Sequence, residues 1–113
     1  MEAGQMIKVG VHTDEGFKVM VESGEWKVGM LRYNERFSRL GEMERHVLTD
    51  EVFVMISGNA TLHTENERIE MEQGVVYTVP ACVWHHIVVS EDATVMVVEN
   101  ADTSLENTER IPV

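Results

Sequence analysis

One cysteine, nine basic residues and no long apolar run set the first limits on this chain of 113 residues. With Cys82 alone, no intrachain disulfide can form, and packing has to hold the fold. Nine Lys and Arg against twenty Asp and Glu leave a formal net charge of -11. A surface of that sign repels phosphate backbones and anionic lipid, which excludes nucleic acid and membrane surfaces as main partners. No stretch approaches the ~20 apolar residues of a membrane helix. The first twenty residues alternate apolar with charged positions and lack the apolar centre of a signal peptide. These absences together predict a cytoplasmic protein whose acidic excess keeps it soluble. No sustained helical period, internal repeat, phosphate-binding glycine loop, zinc-finger spacing or Ser-His-Asp order is present either.

What the chain does contain is strand pattern. Hydrophobic residues make up 43% of it, enough for one core and hence one domain over residues 1–113. "FKVMV" (17–21) and "WKVGMLRY" (26–33) flank a glycine turn as a hairpin. Period two then places Trp26, Val28, Met30 and Arg32 on one face. Segment 34–44 is charged and irregular and reads as a loop or a single helical turn. "EVFVMIS" (51–57), "ATLHT" (60–64), "RIEM" (68–71), "VVYTV" (75–79), "HIVVS" (86–90) and "TVMVVE" (94–99) complete the series. Short strands punctuated every eight to twelve residues predict an all-β sandwich or barrel, with its core over about 26–100. Segments 52–56, 75–79 and 94–98 are apolar on both faces, which predicts a homodimer that covers an outer face.

Ionisable residues placed among these strands are the candidates for chemistry. Glu44 and His46 lie two apart and so share a face, where a carboxylate and an imidazole can chelate one ion. Glu51 opens an apolar strand on the parity of Phe53 and Met55. A carboxylate aimed into such an interior is costly unless it is paired, protonated or bound to a cation. His85 follows a segment that runs from Gly74 to Pro80 and is delivered to the mouth of the barrel. Its neighbour His86 then points to the opposite face, as a surface or dimer-contact residue. His12 is expected to be exposed, Asp50 to face solvent, and Arg39 and Arg45 to offer Glu44 salt bridges. Met30, Arg32, Phe53, Met55, His63 and Tyr77 are candidate pocket residues, with Arg32 at the rim to hold a substrate anion. The eight methionines and Cys82 read as fillers of apolar gaps.

Two stretches, "ERHVLTDEVFVMISG" and "GVVYTVPACVWH", resemble the two motifs of the cupin superfamily. The first family motif ends in histidine, four residues, glutamate, six residues and glycine; His46, Glu51 and Gly58 keep that spacing. Gly74, Pro80 and His85 match the second, with Cys82 where the family has glycine. Fifteen residues separate Gly58 from Gly74, the length of a minimal cupin insert. Glu44 replaces the first histidine, and Val89 stands where an asparagine often follows. The "TDEVF" stretch is similar to that of small single-domain cupins defined by sequence more than by reaction.

The resemblance implies an all-β fold, a single cupin-type double-stranded β-helix or jelly-roll barrel. Carried over position by position, it makes His46, Glu51 and His85 metal ligands and puts Glu44 in the place of a third histidine. Two imidazoles with carboxylates suit manganese, iron, zinc or nickel as the divalent ion. The implied function is metal-dependent chemistry on a small polar metabolite, as in isomerases or oxygenases. The alternative is a non-catalytic module that binds or senses a small molecule.

Overall fold

A computed structural model describes residues 6–113; residues 1–5 of the expected domain lie outside the described residues. Ten strands form two antiparallel sheets. In chain order they are β1 (Gly16–Ser23), β2 (Trp26–Arg32), β3 (Glu42–His46), β4 (Glu51–Ser57) and β5 (Ala60–Thr64), then β6 (Arg68–Glu70), β7 (Val76–Val79), β8 (His85–Val89), β9 (Thr94–Asn100) and β10 (Thr108–Pro112). One sheet runs β1-β2-β9-β4-β7 and the other β10-β3-β8-β5-β6. The chain therefore crosses repeatedly from sheet to sheet, as the expected jelly roll requires. Single 3-10 turns at Glu35–Phe37 and Leu105–Asn107 precede β3 and β10.

Alternation on the central strands builds the core. On β9, Val95 and Val97 point inward with 0% and 1% exposure, and on β4 Phe53 and Met55 do the same. Each such side chain contributes ~1.5–3 kcal/mol relative to leaving it in water. Leu31 from β2 and Leu62 and Ile87 from the opposite sheet close the layer. Gly58, at φ +77, lets the chain leave β4 and pass against the backbone of Ala93 before starting β5.

Two strands fall outside the series that hydrophobic pattern gives. Segment 34–44 holds the Glu35–Phe37 turn and the start of β3, and the tail after residue 100 ends in β10. Both are polar: only Met43 and His46 are buried on β3 and nothing on β10 is, so hydrophobic periodicity could not reveal them. The parity of β2 is also the reverse of the apolar reading. Lys27, Gly29 and Leu31 face inward, while Val28 and Met30 lie on the outer face. That outer face is apolar in rows across the sheet: Met30, Met96, Val54 and Val76 are paired in sequence, and so are Val28, Val98 and Val52. Among the described residues no helix is long and apolar enough to cross a membrane.

Candidate metal centre

Four strands from the two sheets converge at one end of the barrel around a cavity of about 230 Å³. β3 supplies Glu44 and His46, β4 Glu51, β8 His85 and β9 Glu99, and all five line the cavity. Glu51 is the hub. Its Oε1 lies 2.9 Å from His85 Nε2 and 3.2 Å from His46 Nε2. The contact to His85 is a hydrogen bond; the one to His46 does not form one, and among the described residues buried His46 Nε2 has no hydrogen-bond partner.

The far sides of both rings are fixed. His85 Nδ1 lies 2.8 Å from the Val83 carbonyl, which can only accept, so this nitrogen carries the proton. His46 Nδ1 is 2.9 Å from Thr108 Oγ1 on β10. Holding Nδ1 in this way aims Nε2 at the cavity, the arrangement by which proteins orient metal-binding imidazoles. The loops that carry the two histidines are joined as well: Cys82 N–H donates to the His46 carbonyl at 2.8 Å, and Ala81 N–H to Asp50 Oδ1 at 2.9 Å. Asp50 is thus a loop anchor and does more than face solvent. Cys82 is exposed rather than a filler and adopts φ 68, a conformation that glycine takes without cost, which explains the glycine of the motif at this position.

Electrostatics follow from this packing. Burial opposes the charge on Glu51, yet the adjacent imidazoles of His46 and His85 outweigh it and bring the carboxyl down to about 2. Burial likewise opposes protonation of His46 and His85, and the Glu51 carboxylate more than offsets it, raising both. Burial and the charge of Glu51 push Glu99 up to about 8, against the pull of Lys27. Metal-free, the cluster therefore holds protons where a cation would sit.

A pH dependence follows. The raised histidines stabilise the fold below about 6.5, and that contribution is lost as pH rises through their higher folded values. Glu51 stabilises above 4.5 and loses its effect as pH falls toward about 2. Glu99 stays protonated when the unfolded chain ionises, so its burden grows between 4.5 and about 8. With chelator present, the melting temperature is expected to be highest at about pH 5–6 and to fall toward pH 8.5, with added divalent ion reversing the fall at the alkaline end. A chelated protein whose melting temperature rises steadily to pH 8.5 would show that the cluster is not proton-loaded.

The structure brings His46, Glu51, His85 and Glu44 together, and Phe53 lines the same cavity. The other candidate pocket residues do not line it. Met30 and Arg32 fall on the outer parity of β2, and Arg32 instead reaches the His12 carbonyl at 3.4 Å. Met55 is packed in the core, the Tyr77 hydroxyl accepts from Glu72 N–H at 2.9 Å, and His63 pairs with Arg68 and His86 along β5. His86 is buried rather than on the surface, stacked on Phe37 with Nε2 3.1 Å from the Arg36 carbonyl, and burial lowers its pKa. His12 is half-buried, 2.8 Å from the Gly16 carbonyl. Glu44 is held by Arg36 and Arg110; Arg39 pairs with Glu35, and Arg45 with Glu109 while lying over Trp84.

Sequence reasoning missed Glu99 and Lys27. The signal for Glu99 was available: it follows Val95 and Val97 on the inward parity of β9, the same mark that singled out Glu51. Lys27 was hidden by the apolar outer face of its own strand.

Similarity to known proteins agrees with this geometry. Among curated proteins no sequence matches the chain. Solved structures do. A cupin-2 domain protein from Shewanella frigidimarina NCIMB 400 is 22% identical, with a TM-score of 0.64 over 80% of this chain and 84% of its own. A candidate mannose-6-phosphate isomerase from Ralstonia eutropha JMP134 is 24% identical, with a TM-score of 0.61 over 80% and 87%. Streptomyces Pac13, described as a nucleoside dehydratase and solved with uridine, is 12% identical, with a TM-score of 0.71 over 96% and 93%. The sequence model of the Cupin_2 family, a cupin domain, matches residues 38–99, and with more than half of its length so matched the chain belongs to that family.

Proposed function

We propose that this protein is a cytoplasmic, metal-dependent cupin that acts on a small polar metabolite, with His46, Glu51, His85 and one further carboxylate as ligands to a divalent ion. The observation that carries the reading is the buried, unpartnered Nε2 of His46, turned toward the oxygen that His85 Nε2 also faces. A buried polar atom without a partner costs ~1–3 kcal/mol, and a shared cation removes that cost at the one point where both imidazoles and Glu51 meet. Manganese, iron, zinc and nickel all suit such a donor set.

When bound, the ion supplies Lewis acidity to a carbonyl or hydroxyl oxygen of the substrate. The chain's own groups do the rest. Phe53 and Leu31 give the cavity an apolar wall, and Arg36 and Arg110, paired with Glu42 and Glu44, make its rim charged but balanced. The cavity size suits a metabolite of a few heavy atoms beyond the ion itself. The relatives named above as a nucleoside dehydratase and a candidate sugar-phosphate isomerase support a hydroxylated polar substrate, and isomerisation or oxygenation is the chemistry proposed. A binding or sensing module is the second reading. It is favoured by Glu44, which stands where the motif has a histidine and is engaged by two arginines.

Protein purified without a histidine tag and analysed by elemental mass spectrometry is expected to carry about one transition ion per chain, or to take one up from supplied Mn²⁺, Fe²⁺, Ni²⁺ or Zn²⁺. Failure with all four would remove the metal-dependent reading and leave the binding module.

We further propose a homodimer built on the apolar outer face of the β1-β2-β9-β4-β7 sheet. Val76 and Ile56 there are 63% and 48% exposed, and Trp26 is 48% exposed at the edge of the face. Light scattering is expected to give twice the 12.8 kDa chain mass, and Val54→Lys with Met96→Lys to return the monomer.

A further inference from the structure

Two carboxylates compete for the fourth position at the proposed centre, and their surroundings differ. Glu44 Oε2 is clamped by Arg36 through a short ion pair and by Arg110 at 3.3 Å. The same two arginines reach Glu42 at 3.4 and 3.9 Å, so Glu44 belongs to a balanced network of two acids and two bases at the rim. Only its Oε1, 3.6 Å from His46 Nε2, is left for an ion, and Glu44 is the half-buried member of its group with His46 and His85.

Glu99 has no such commitment. Its salt-bridge partner among the described residues is Lys27, 3.8 Å away, and Lys27 Nζ already donates to the Thr103 carbonyl at 2.7 Å. Register explains what else Glu99 faces. β4 and β9 pair Val52 with Val98 and Phe53 with Val97, and the next step of that ladder sets Glu51 opposite Glu99. Both point inward and both are buried. Two buried carboxyl groups set opposite one another need a proton or a cation between them, so this pair is a place where an ion can take the proton's part. His46, Glu51 and Glu99 each place a donor atom within 4.8 Å of the others, and all three are buried. His46 Nε2, on a residue only 8% exposed, is aimed into that group without a partner.

We infer that Glu99, from β9, is the second carboxylate ligand of this protein's divalent ion, in place of Glu44 at the motif position. The centre then takes one donor from each of β3, β4, β8 and β9, with His46 and His85 from one sheet and Glu51 and Glu99 from the other. Glu44 keeps its arginines and shapes the rim. This inference rests on the proposed metal-dependent reading and adds to it which carboxylate completes the site.

The test is calorimetric titration of the full chain with Mn²⁺, Ni²⁺ and Zn²⁺ separately, comparing native protein with Glu99→Gln and Glu44→Gln. Circular dichroism under chelator checks that each variant is folded. Should Glu99→Gln not fold, Glu99→Asp, which withdraws the carboxylate by one methylene, takes its place. Glu99→Gln is expected to weaken the ion bound by native protein at least about tenfold, and Glu44→Gln to change it less than about threefold. Co²⁺-loaded protein is expected to change its visible absorption in the Glu99 variant and to keep it in the Glu44 variant. A loss in Glu44→Gln equal to or larger than that in Glu99→Gln overturns the assignment, as does native affinity in the Glu99 variant. If native protein binds none of the ions, the metal-dependent reading falls and takes this assignment with it. Binding that survives in Glu99→Gln sinks the assignment alone.

Discussion

His85→Ala is expected to lose bound divalent metal, with affinity falling at least ~100-fold, about 2.7 kcal/mol. The ring is the best prepared donor of the cluster. Val83 fixes its tautomer, and β8 fixes its direction. His46→Ala is expected to lose the metal to a similar degree, but the two variants should differ when the ion is chelated away. His85 hydrogen-bonds the buried Glu51, so its removal leaves a carboxylate without its main partner, at a cost of ~1–3 kcal/mol. His46 lies 3.2 Å from Glu51 without a well-formed hydrogen bond, and its removal gives up that charge interaction and the bond to Thr108 but leaves Glu51 bonded to His85. His63→Ala, outside the cavity, is expected to change neither. The measurement is metal content and chelated melting temperature of the three variants side by side. Full metal occupancy in His85→Ala would mean that the ion is held elsewhere.

The largest stability effect is expected at a glycine. A Cβ on Gly58 would sit 2.6 Å from Ala93 Cα and 2.8 Å from Ala93 N, both backbone atoms. Ala93 cannot retreat readily, since its N–H donates to Ser90 O at 3.0 Å and Ser90 is itself tied to Asn59 through two bonds of 2.9 Å. Gly58→Ala therefore carries both the left-handed backbone cost and a clash, together ~3 kcal/mol or more. Gly74 provides the comparison. It has the same φ of +77, yet a Cβ there meets nothing within 4 Å, so Gly74→Ala is expected to cost only the backbone part, ~1 kcal/mol. Denaturant unfolding of the two variants separates strain from collision. Equal losses would show that the corner at Ala93 gives way.

How much of this could be read from residues alone varies with the kind of signal. β4, β8 and β9 were legible because β-branched and aromatic residues alternate or run through them, and the motif spacing placed Glu51 and His85 at the starts of β4 and β8 and His46 just ahead of β4. β3 and β10 were not, because each presents charge to solvent and to its neighbour; β10 even ends on Pro112, which suits a strand at the edge of its sheet. β2 misled for an opposite reason. Its more hydrophobic side, Val28 and Met30, lies outside, while the inward side carries a lysine and a glycine. Hydrophobicity reports burial, and a face covered only by its own neighbours or by a second chain reads the same as a core. Lys27 fell in that gap, whereas Glu99 carried a readable signal on the inward parity of β9.

The clasp between the two histidine-bearing loops also bears on how the proposed small-molecule ligand would reach the centre. With Cys82 bonded to His46 and Ala81 to Asp50, that side of the barrel is shut, and no residue from 80 to 84 reaches the cavity wall. Arg36, Arg110 and Leu105 do line the cavity, and Leu105 is 75% exposed. The motif residues thus supply the proposed ligands to the ion, and the polar tail and the first charged turn supply the exposed part of the lining. Selectivity for one proposed guest over another would then be tuned at those exposed residues while the ion's ligands stay in place.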